Sequence, residues 1–347
     1  MDYNLLPGTE IKVSKICLGT MTFGRQNNEK EGHDQMDYSY DRGINFFDTA
    51  ELYPVPPSPE TQGETEKIIG SWLKKTGKRD KIIIASKVAG PSSFSQHIRK
   101  NMSYSKATIN EAINNSLKRL RTDYIDLYQI HWPERVTNFF GKRGFEFHKE
   151  DQWKYNFDLI LDVLNENIKE GKIRYIGLSN ETPWGLMKFL SLAEQFNLPR
   201  VVSVQNPYSL LNRSYEVGLA EVSIREKCGL LAYSPLGFGM LSGKYDNGTK
   251  PDGARLTLFG DMFTRYTKPK GLMYSEKFND LARKNNFSPS QMALAFVNSR
   301  EFLTSNIIGA TNLEQLKENI DSVKIELSSD LLKEIDEIHN ENPFPCP

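Results

Sequence analysis

The sequence predicts an α/β fold, a (β/α)8 TIM barrel with an extra C-terminal helix and long loops at its C-terminal face. Three observations predict it. Eight short runs rich in Ile, Val, Leu and Phe recur along the chain, each followed by a stretch of helical periodicity. The runs are continuously apolar rather than alternating, as expected of strands covered on both faces and made parallel by crossover helices. The chain has 347 residues, enough for eight β-α units, and no linker rich in Gly, Ser or Pro divides it. One domain over residues 1–347 is therefore expected, with a doubly wound open sheet as the alternative.

In order, the strand candidates are residues 16–18, 44–47, 81–85, 125–129, 173–177, 201–204, 230–232 and 306–308. Between them lie amphipathic helices. The helix at 107–120 carries Ile109, Ile113, Leu117 and Leu120 on one face; that at 157–170 carries Leu161, Leu164 and Ile168; that at 313–323 carries Leu316, Ile320 and Val323. Residues 330–340 read as one more helix, packed under or across the barrel. Two stretches break the rhythm, 137–151 after the fourth strand and 238–270 after the seventh. Long loops after barrel strands belong to the active-site face.

Composition narrows the function. Lys plus Arg number 44 and Asp plus Glu number 44, so no basic field exists to hold nucleic acid. The aromatic and basic residues Phe259, Phe263, Arg265 and Tyr266 read instead as a loop covering the active-site face. The N-terminus lacks the charged and apolar regions of a secretory signal, and no apolar stretch approaches a membrane span. Cys17, Cys228 and Cys346 are odd in number and far apart, which predicts neither disulfide nor metal site and fits a cytoplasmic setting. Monomer and homo-oligomer remain equally open.

Polar groups cluster where strands end. The second strand gives Asp48, with Tyr53 close behind; the third gives Lys87; the fourth, IDLYQIHW, gives His131; the fifth and sixth give Ser179, Asn180, Gln205 and Asn206. Singly, each has an ordinary explanation: an N-cap for Asp48, a solvated charge for Lys87, a hydrogen-bonded core imidazole for His131. Together, at the same end of successive strands, they make a site. A phenol titrates near ~10, and an adjacent ammonium lowers that value. Lys87 supplies the charge, Asp48 holds Lys87, and His131 donates to a carbonyl oxygen lying between it and Tyr53. Such a site polarises a carbonyl and delivers a proton. It has no nucleophile or metal of its own, so hydride from a nicotinamide is the natural reductant.

The stretches LGTMTFG (18–24), INFFDTAELYPVPPSPETQGETE (44–66), IIIASKV, SLKRLRTDYIDLYQIHWP (116–133), GKIRYIGLSNET (171–182), QNPYSLLNRS (205–214), LLAYSPLGFGMLSGKY (230–245) and IIGATNLEQLKENI (307–320) run in order over nearly the whole chain. In these the sequence resembles the aldo-keto reductases, in particular the bacterial NADP(H)-dependent reductases of the Tas type. The resemblance implies a barrel that reduces aldehydes or ketones with NADPH, giving NADP+, on a small-molecule carbonyl substrate. It assigns Asp48, Tyr53, Lys87 and His131 as the catalytic tetrad, with Tyr53 the general acid.

For the cofactor the resemblance implies Thr20 and Met21 near the nicotinamide, beside Asp48. Ser179, Asn180 and Gln205 hold its carboxamide, and Tyr233 stacks on the ring. Ser234, Pro235, Leu236, Gly237, Phe238, Gly239, Leu241 and Gly243 line the pyrophosphate, with Lys244 and Arg255 near the phosphates. Gly309, Thr311, Gln315, Glu318 and Asn319 form the adenosine end, at the start of a helix whose N-terminus favours a phosphate.

Three departures stand out. The loop PVPPSPETQG (54–63) is long and proline-rich and so shapes the substrate pocket. Gln315 stands where some relatives carry an arginine, and Met21 where several carry a tryptophan. Gly237, Gly239 and Gly243 imitate a Rossmann fingerprint, but the spacing is GxGxxxG and no early βαβ unit carries it. Two other functions share these residues: a cofactor-sensing protein with little turnover, as in channel β-subunits of this fold, and a Schiff-base lyase with Lys87 as nucleophile.

Overall fold

The computed structural model describes residues 1–147 and 153–347. Eight parallel strands close into a barrel: β3 (Ile16–Gly19), β4 (Phe46–Asp48), β5 (Ile83–Val88), β6 (Ile125–Ile130), β7 (Ile173–Ser179), β8 (Val201–Pro207), β9 (Gly229–Tyr233) and β10 (Leu303–Ile308), with β10 closing on β3. The predicted eight-stranded barrel is the observed one, and the open sheet is excluded. A two-stranded antiparallel hairpin, β1 (Tyr3–Leu5) and β2 (Lys12–Ser14), precedes it and was not anticipated.

Helices α1 (Glu29–Asp41), α2 (Glu64–Thr76), α3 (Lys106–Leu120), α4 (Phe157–Lys169), α5 (Pro183–Gln195) and α6 (Leu219–Arg225) follow β3 to β8 in turn. Their starts are set by local chemistry. Asn28 and Glu31 form a reciprocal capping box on α1, while Ser105 and Thr182 cap α3 and α5. The long connection after β9 contains α7 (Arg255–Phe259), α8 (Pro269–Lys284) and α9 (Pro289–Asn298). Much of residues 238–270 is turns and short 3-10 pieces, in keeping with its lack of a period. Helix α10 (Leu313–Asp321) follows β10. The extra helix α11 (Ser329–Glu341) packs on α8 through Lys284 and Glu334, and is tied to the segment after β8 by Arg213 and Asp336. Of the aperiodic stretch 137–151, residues 148–151 lie outside the described residues.

The strands sort their side chains by alternation. On β4, Phe46 points into the barrel and Phe47 out toward Trp72 of α2, ring centroids 5.5 Å apart. Cys17, Phe46, Ala85, Leu127, Val202, Leu231 and Ile307 fill the lower interior, and Leu6 and Val13 from the hairpin region join them from below. Each fully buried Leu or Phe side chain among them contributes about 1.5–3 kcal/mol. Two residues further along the same strands the interior turns polar: Asp48 after Phe46, Lys87 after Ala85, Gln129 after Leu127 and Tyr233 after Leu231. Gly177 on β7 makes this possible, because a Cβ there would lie 2.8 Å from Ser203 Oγ and 3.1 Å from Gln129 Cγ. Among the described residues, no helix is long and apolar enough to cross a membrane.

Candidate active site

Two strand boundaries differ from expectation in a way that matters. The second and third strands were expected at 44–47 and 81–85, but run Phe46–Asp48 and Ile83–Val88. Asp48 and Lys87 are therefore rung residues of the barrel itself, in register through Asp48 with Ala85 and Lys87 with Gln129. Hydropathy ends a strand at its first polar residue; the backbone ladder does not.

Asp48 Oδ2 accepts from Lys87 Nζ at 2.7 Å, and Lys87 also donates to the Thr49 carbonyl at 2.8 Å and to the Tyr53 hydroxyl at 3.4 Å. Asp48 Oδ1 accepts from Gln205 Nε2 at 2.7 Å, and Thr20 holds the Asp48 carbonyl at 2.7 Å. Lys87 is fully buried and Asp48 2% exposed, so the pair is desolvated and held by neighbouring dipoles. His131 lies edge-on to Tyr53, ring centroids 5.7 Å apart. Asn180 Nδ2 donates to the His131 carbonyl at 2.8 Å and Tyr233 hydroxyl to Asn180 Oδ1 at 2.6 Å, while Ser179 Oγ reaches the Gln205 carbonyl at 2.9 Å. The predicted tetrad is thus one contiguous cluster.

Its electrostatics correct one expectation. Burial pushes the Tyr53 phenol above its ordinary value of 10.0, and Asp48 adds to this; Lys87 pulls the other way and does not win. The tyrosine is a neutral phenol, the form a proton donor must have. Burial opposes the Lys87 charge, but Asp48 and Tyr53 more than reverse that, and the ammonium is held more firmly than usual. A protonated amine behind Tyr53 that takes no part in the cavity wall is a poor Schiff-base nucleophile. His131 is driven well below 6.5, first by burial and then by Lys87, so it is neutral, and its Nδ1 is buried without a partner.

Behind Tyr53 sits a clamp that sequence reasoning missed. Glu51, fully buried, makes a two-pronged pair with Arg99 and accepts from the Ala89 amide at 2.7 Å. The loop carrying Tyr53 is thereby tied to the loop after β5.

Above the tetrad opens a cavity of about 1260 Å³. Its wall includes Thr20, Met21, Asp48, Tyr53, His131, Ser179, Asn180, Gln205 and Tyr233 from the strand ends. It continues along Ser234, Pro235, Leu236, Phe238, Gly239, Lys244 and Arg255 to Gly309, Thr311, Gln315, Glu318 and Asn319 at α10. Gly237, Leu241 and Gly243 do not line it: Gly237 packs toward Leu211 and Tyr266, Leu241 is buried, and Gly243 faces Arg283 and Asp246. An aromatic wall rises from the tetrad through Trp132 to Phe94 and Phe140, the Trp132 ring 5.4 and 5.7 Å from theirs, with His97 alongside. Phe94 lies on the loop after β5, Trp132 and Phe140 on the loop after β6, and no period marks them.

The residues fit a dinucleotide. Lys244 and Arg255 make no ion pair among the described residues, and both are pushed below their ordinary values, chiefly by burial; for Lys244, Arg255 adds to it. Half-buried cations with no carboxylate partner favour an anion, and Thr311, Asn312 and Gln315 at the start of α10, with Asn312 as its N-cap, line the same cavity. Among the described residues, no group of His, Cys, Asp or Glu is placed to hold a metal.

Residues 15–340 match the aldo/keto reductase family. The chain is 53% identical over 348 residues to Protein tas of Escherichia coli strain K12, covering all of both chains. It is 34% identical over 349 residues to the uncharacterized oxidoreductase YrpG of Bacillus subtilis strain 168, covering all of this chain and 97% of that one. It is 37% identical over 273 residues to an aldo-keto reductase of Babesia bovis, covering 75% of this chain and 96% of that one. With its closed barrel and strand-end cluster, the chain belongs to the aldo/keto reductase family, oxidoreductases that act on carbonyl compounds.

Proposed function

We propose that the protein reduces aldehydes or ketones to alcohols with NADPH, using Tyr53 as general acid. The observation that carries this is the buried Lys87–Asp48 pair directly behind a neutral Tyr53 at the floor of the cavity. When bound, the nicotinamide dinucleotide supplies hydride to the carbonyl carbon. Tyr53 gives its proton to the carbonyl oxygen, and solvent replaces it. Lys87, charged and immobilised by Asp48 and Thr49, stabilises the phenolate that this leaves. His131, neutral, donates to the carbonyl oxygen and fixes its direction. Trp132 and its aromatic neighbours exclude water and hold the body of the substrate.

Ser179, Asn180 and Gln205 hold the carboxamide of the ring, and Tyr233 stacks on its face. Ser234, Pro235, Leu236, Phe238 and Gly239 follow the pyrophosphate, with Lys244 and Arg255 countering its charge. Gln315 is held by its Oε1, which accepts from the Thr311 amide at 3.0 Å. Lys244 and Arg255, which make no ion pair among the described residues, support the extra phosphate of NADPH over NADH. The test is loss of reduced-nicotinamide absorbance with a panel of aldehydes and ketones, with NADPH and NADH in parallel. Turnover with NADPH at lower KM than with NADH is the expected result. NADPH retained with no carbonyl reduced refutes the catalytic reading and leaves a cofactor-sensing protein.

A further inference from the structure

Buried arginines in this molecule have glutamates. Arg99 pairs with Glu51, Arg119 with Glu66 at 2.7 Å, Arg135 with Glu181, and Arg213 with Glu216 at 2.8 Å. A buried charge costs several kcal/mol unless it is paired, which explains the pattern. The cavity wall breaks the rule. Lys244 and Arg255 suit the phosphates of a dinucleotide. Arg265 is a third cation on that wall, half-buried, and it makes no ion pair among the described residues. Its neighbours are the phenols of Tyr233 and Tyr266, its guanidinium carbon lying 5.9 Å from the Tyr266 ring centroid.

Position separates Arg265 from the other two. Lys244 packs against Gly239 and Tyr245, and Arg255 lies over Phe238, its guanidinium carbon 5.3 Å from the ring centroid. Arg265 instead meets the aromatic wall: a Cβ on Gly141 would lie 3.2 Å from its Nε, and Gly141 directly follows Phe140. The left-handed backbone of Gly141, φ 93°, together with the missing side chain, lets the guanidinium approach. From Arg265 the path to the tetrad is short. It runs through Tyr233 to Asn180, whose amide holds the His131 carbonyl. Tyr53, His131, Trp132, Phe140 and Arg265 line the same cavity, so a carbonyl held at Tyr53 and His131, with an apolar body along Trp132 and Phe140, can extend toward this guanidinium.

We propose that Arg265 is a substrate-specificity residue, and that the protein favours aryl or similarly apolar carbonyl compounds bearing a carboxylate at the end remote from the reacting group. This rests on the reductase reading above. The planar guanidinium suits a carboxylate, and among the described residues no carboxylate within ion-pair distance competes for it.

The experiment compares para- and meta-formylbenzoate with their methyl esters, which keep shape and electron withdrawal but lose the charge. Wild type should prefer at least one acid over its ester, mainly through KM. In Arg265→Gln the acid-to-ester ratio of kcat/KM should fall about 10- to 100-fold, the scale of one charge-assisted hydrogen bond. Arg265→Lys should retain part of the preference. NADPH affinity, read by fluorescence titration, should not change. Equal handling of acid and ester by wild type overturns the proposal. So does loss of NADPH affinity in Arg265→Gln, which makes Arg265 a phosphate contact. If NADPH binds but neither the acids, nor their esters, nor any carbonyl of the panel above is reduced, the reductase reading fails on its own. Arg265-dependent binding of formylbenzoate to the NADPH complex then upholds the anion site, and its absence sinks that as well.

Discussion

The lower and upper halves of the barrel interior are built from the same strands, two residues apart, and do opposite work. Below, Cys17, Phe46, Ala85, Leu127 and Leu231 form a dry layer with no charge. Above, Asp48, Lys87, Gln129, Gln205 and Tyr233 form a layer joined by hydrogen bonds, with an ammonium and a carboxylate at its centre. The lower layer stabilises the fold by burial. The upper layer spends part of that stability on holding charges out of water. The difference teaches where function can reside in a barrel: at the rung where alternation still fixes side-chain direction but apolar packing has ceased.

The comparison can be broken most forcefully at Lys87. In Lys87→Met the Asp48 carboxylate is left buried beside a thioether, so both halves of the division should suffer. Stability should drop by about 3–5 kcal/mol, as when one partner of a buried pair is removed. Turnover should fall by about 10²-fold or more, because the Tyr53 phenolate loses its countercharge. Thermal melts and NADPH-oxidation rates on one preparation measure both.

Next is Phe46→Ala, one rung below Asp48. It should cost about 3–5 kcal/mol in denaturant unfolding, while kcat at saturating substrate changes only a few-fold. A kcat loss as large as that of the Lys87 variant would mean that the two layers are not separable. Glu51→Ala sharpens the comparison from outside the barrel, leaving Arg99 buried without its two-pronged partner. A stability loss of about 3 kcal/mol is expected, with a rise in KM as the loop after β5 loosens from the loop of Tyr53.

The smallest effect is on pH. Burial keeps the His131 imidazole neutral through pH 6.5 and the Tyr53 phenol protonated beyond 10.0, so reductive kcat/KM should be flat between about 6 and 9 and fall only at higher pH. Folding itself should weaken as pH drops below about 6.5. There the unfolded imidazole takes up a proton that the folded one refuses, so stability rises with pH through that window.

How legible this was follows from the same division. Strand ends are legible because alternation within a parallel barrel fixes direction: once Phe46 is inside, so is Asp48, and likewise Ala85 and Lys87. The barrel was therefore legible in the sequence, with only the strand limits displaced toward the polar residues, and so was the gathering of Asp48, Tyr53, Lys87 and His131 at one end of it. The sign of the Tyr53 shift was not legible, because it depends on how completely the cavity floor is desolvated. Glu51–Arg99 and the wall of Phe94, Trp132 and Phe140 were missed because each joins loops after different strands. Arg265 was read only as part of a covering loop. Nothing in its neighbours along the chain announces that it pairs with no carboxylate among the described residues, which is a fact of tertiary structure alone.

The central claim is that Tyr53 delivers the proton in a reaction whose cofactor is bound by other groups. It is tested most directly by Tyr53→Phe in a single-turnover experiment, with NADPH bound in advance and an aldehyde added in excess. The account predicts unchanged NADPH affinity, an unchanged melting temperature within a few degrees, and a rate of NADPH oxidation lower by about 10²- to 10⁴-fold. A variant that oxidises NADPH at the wild-type rate would contradict it, since some other group would then be the acid.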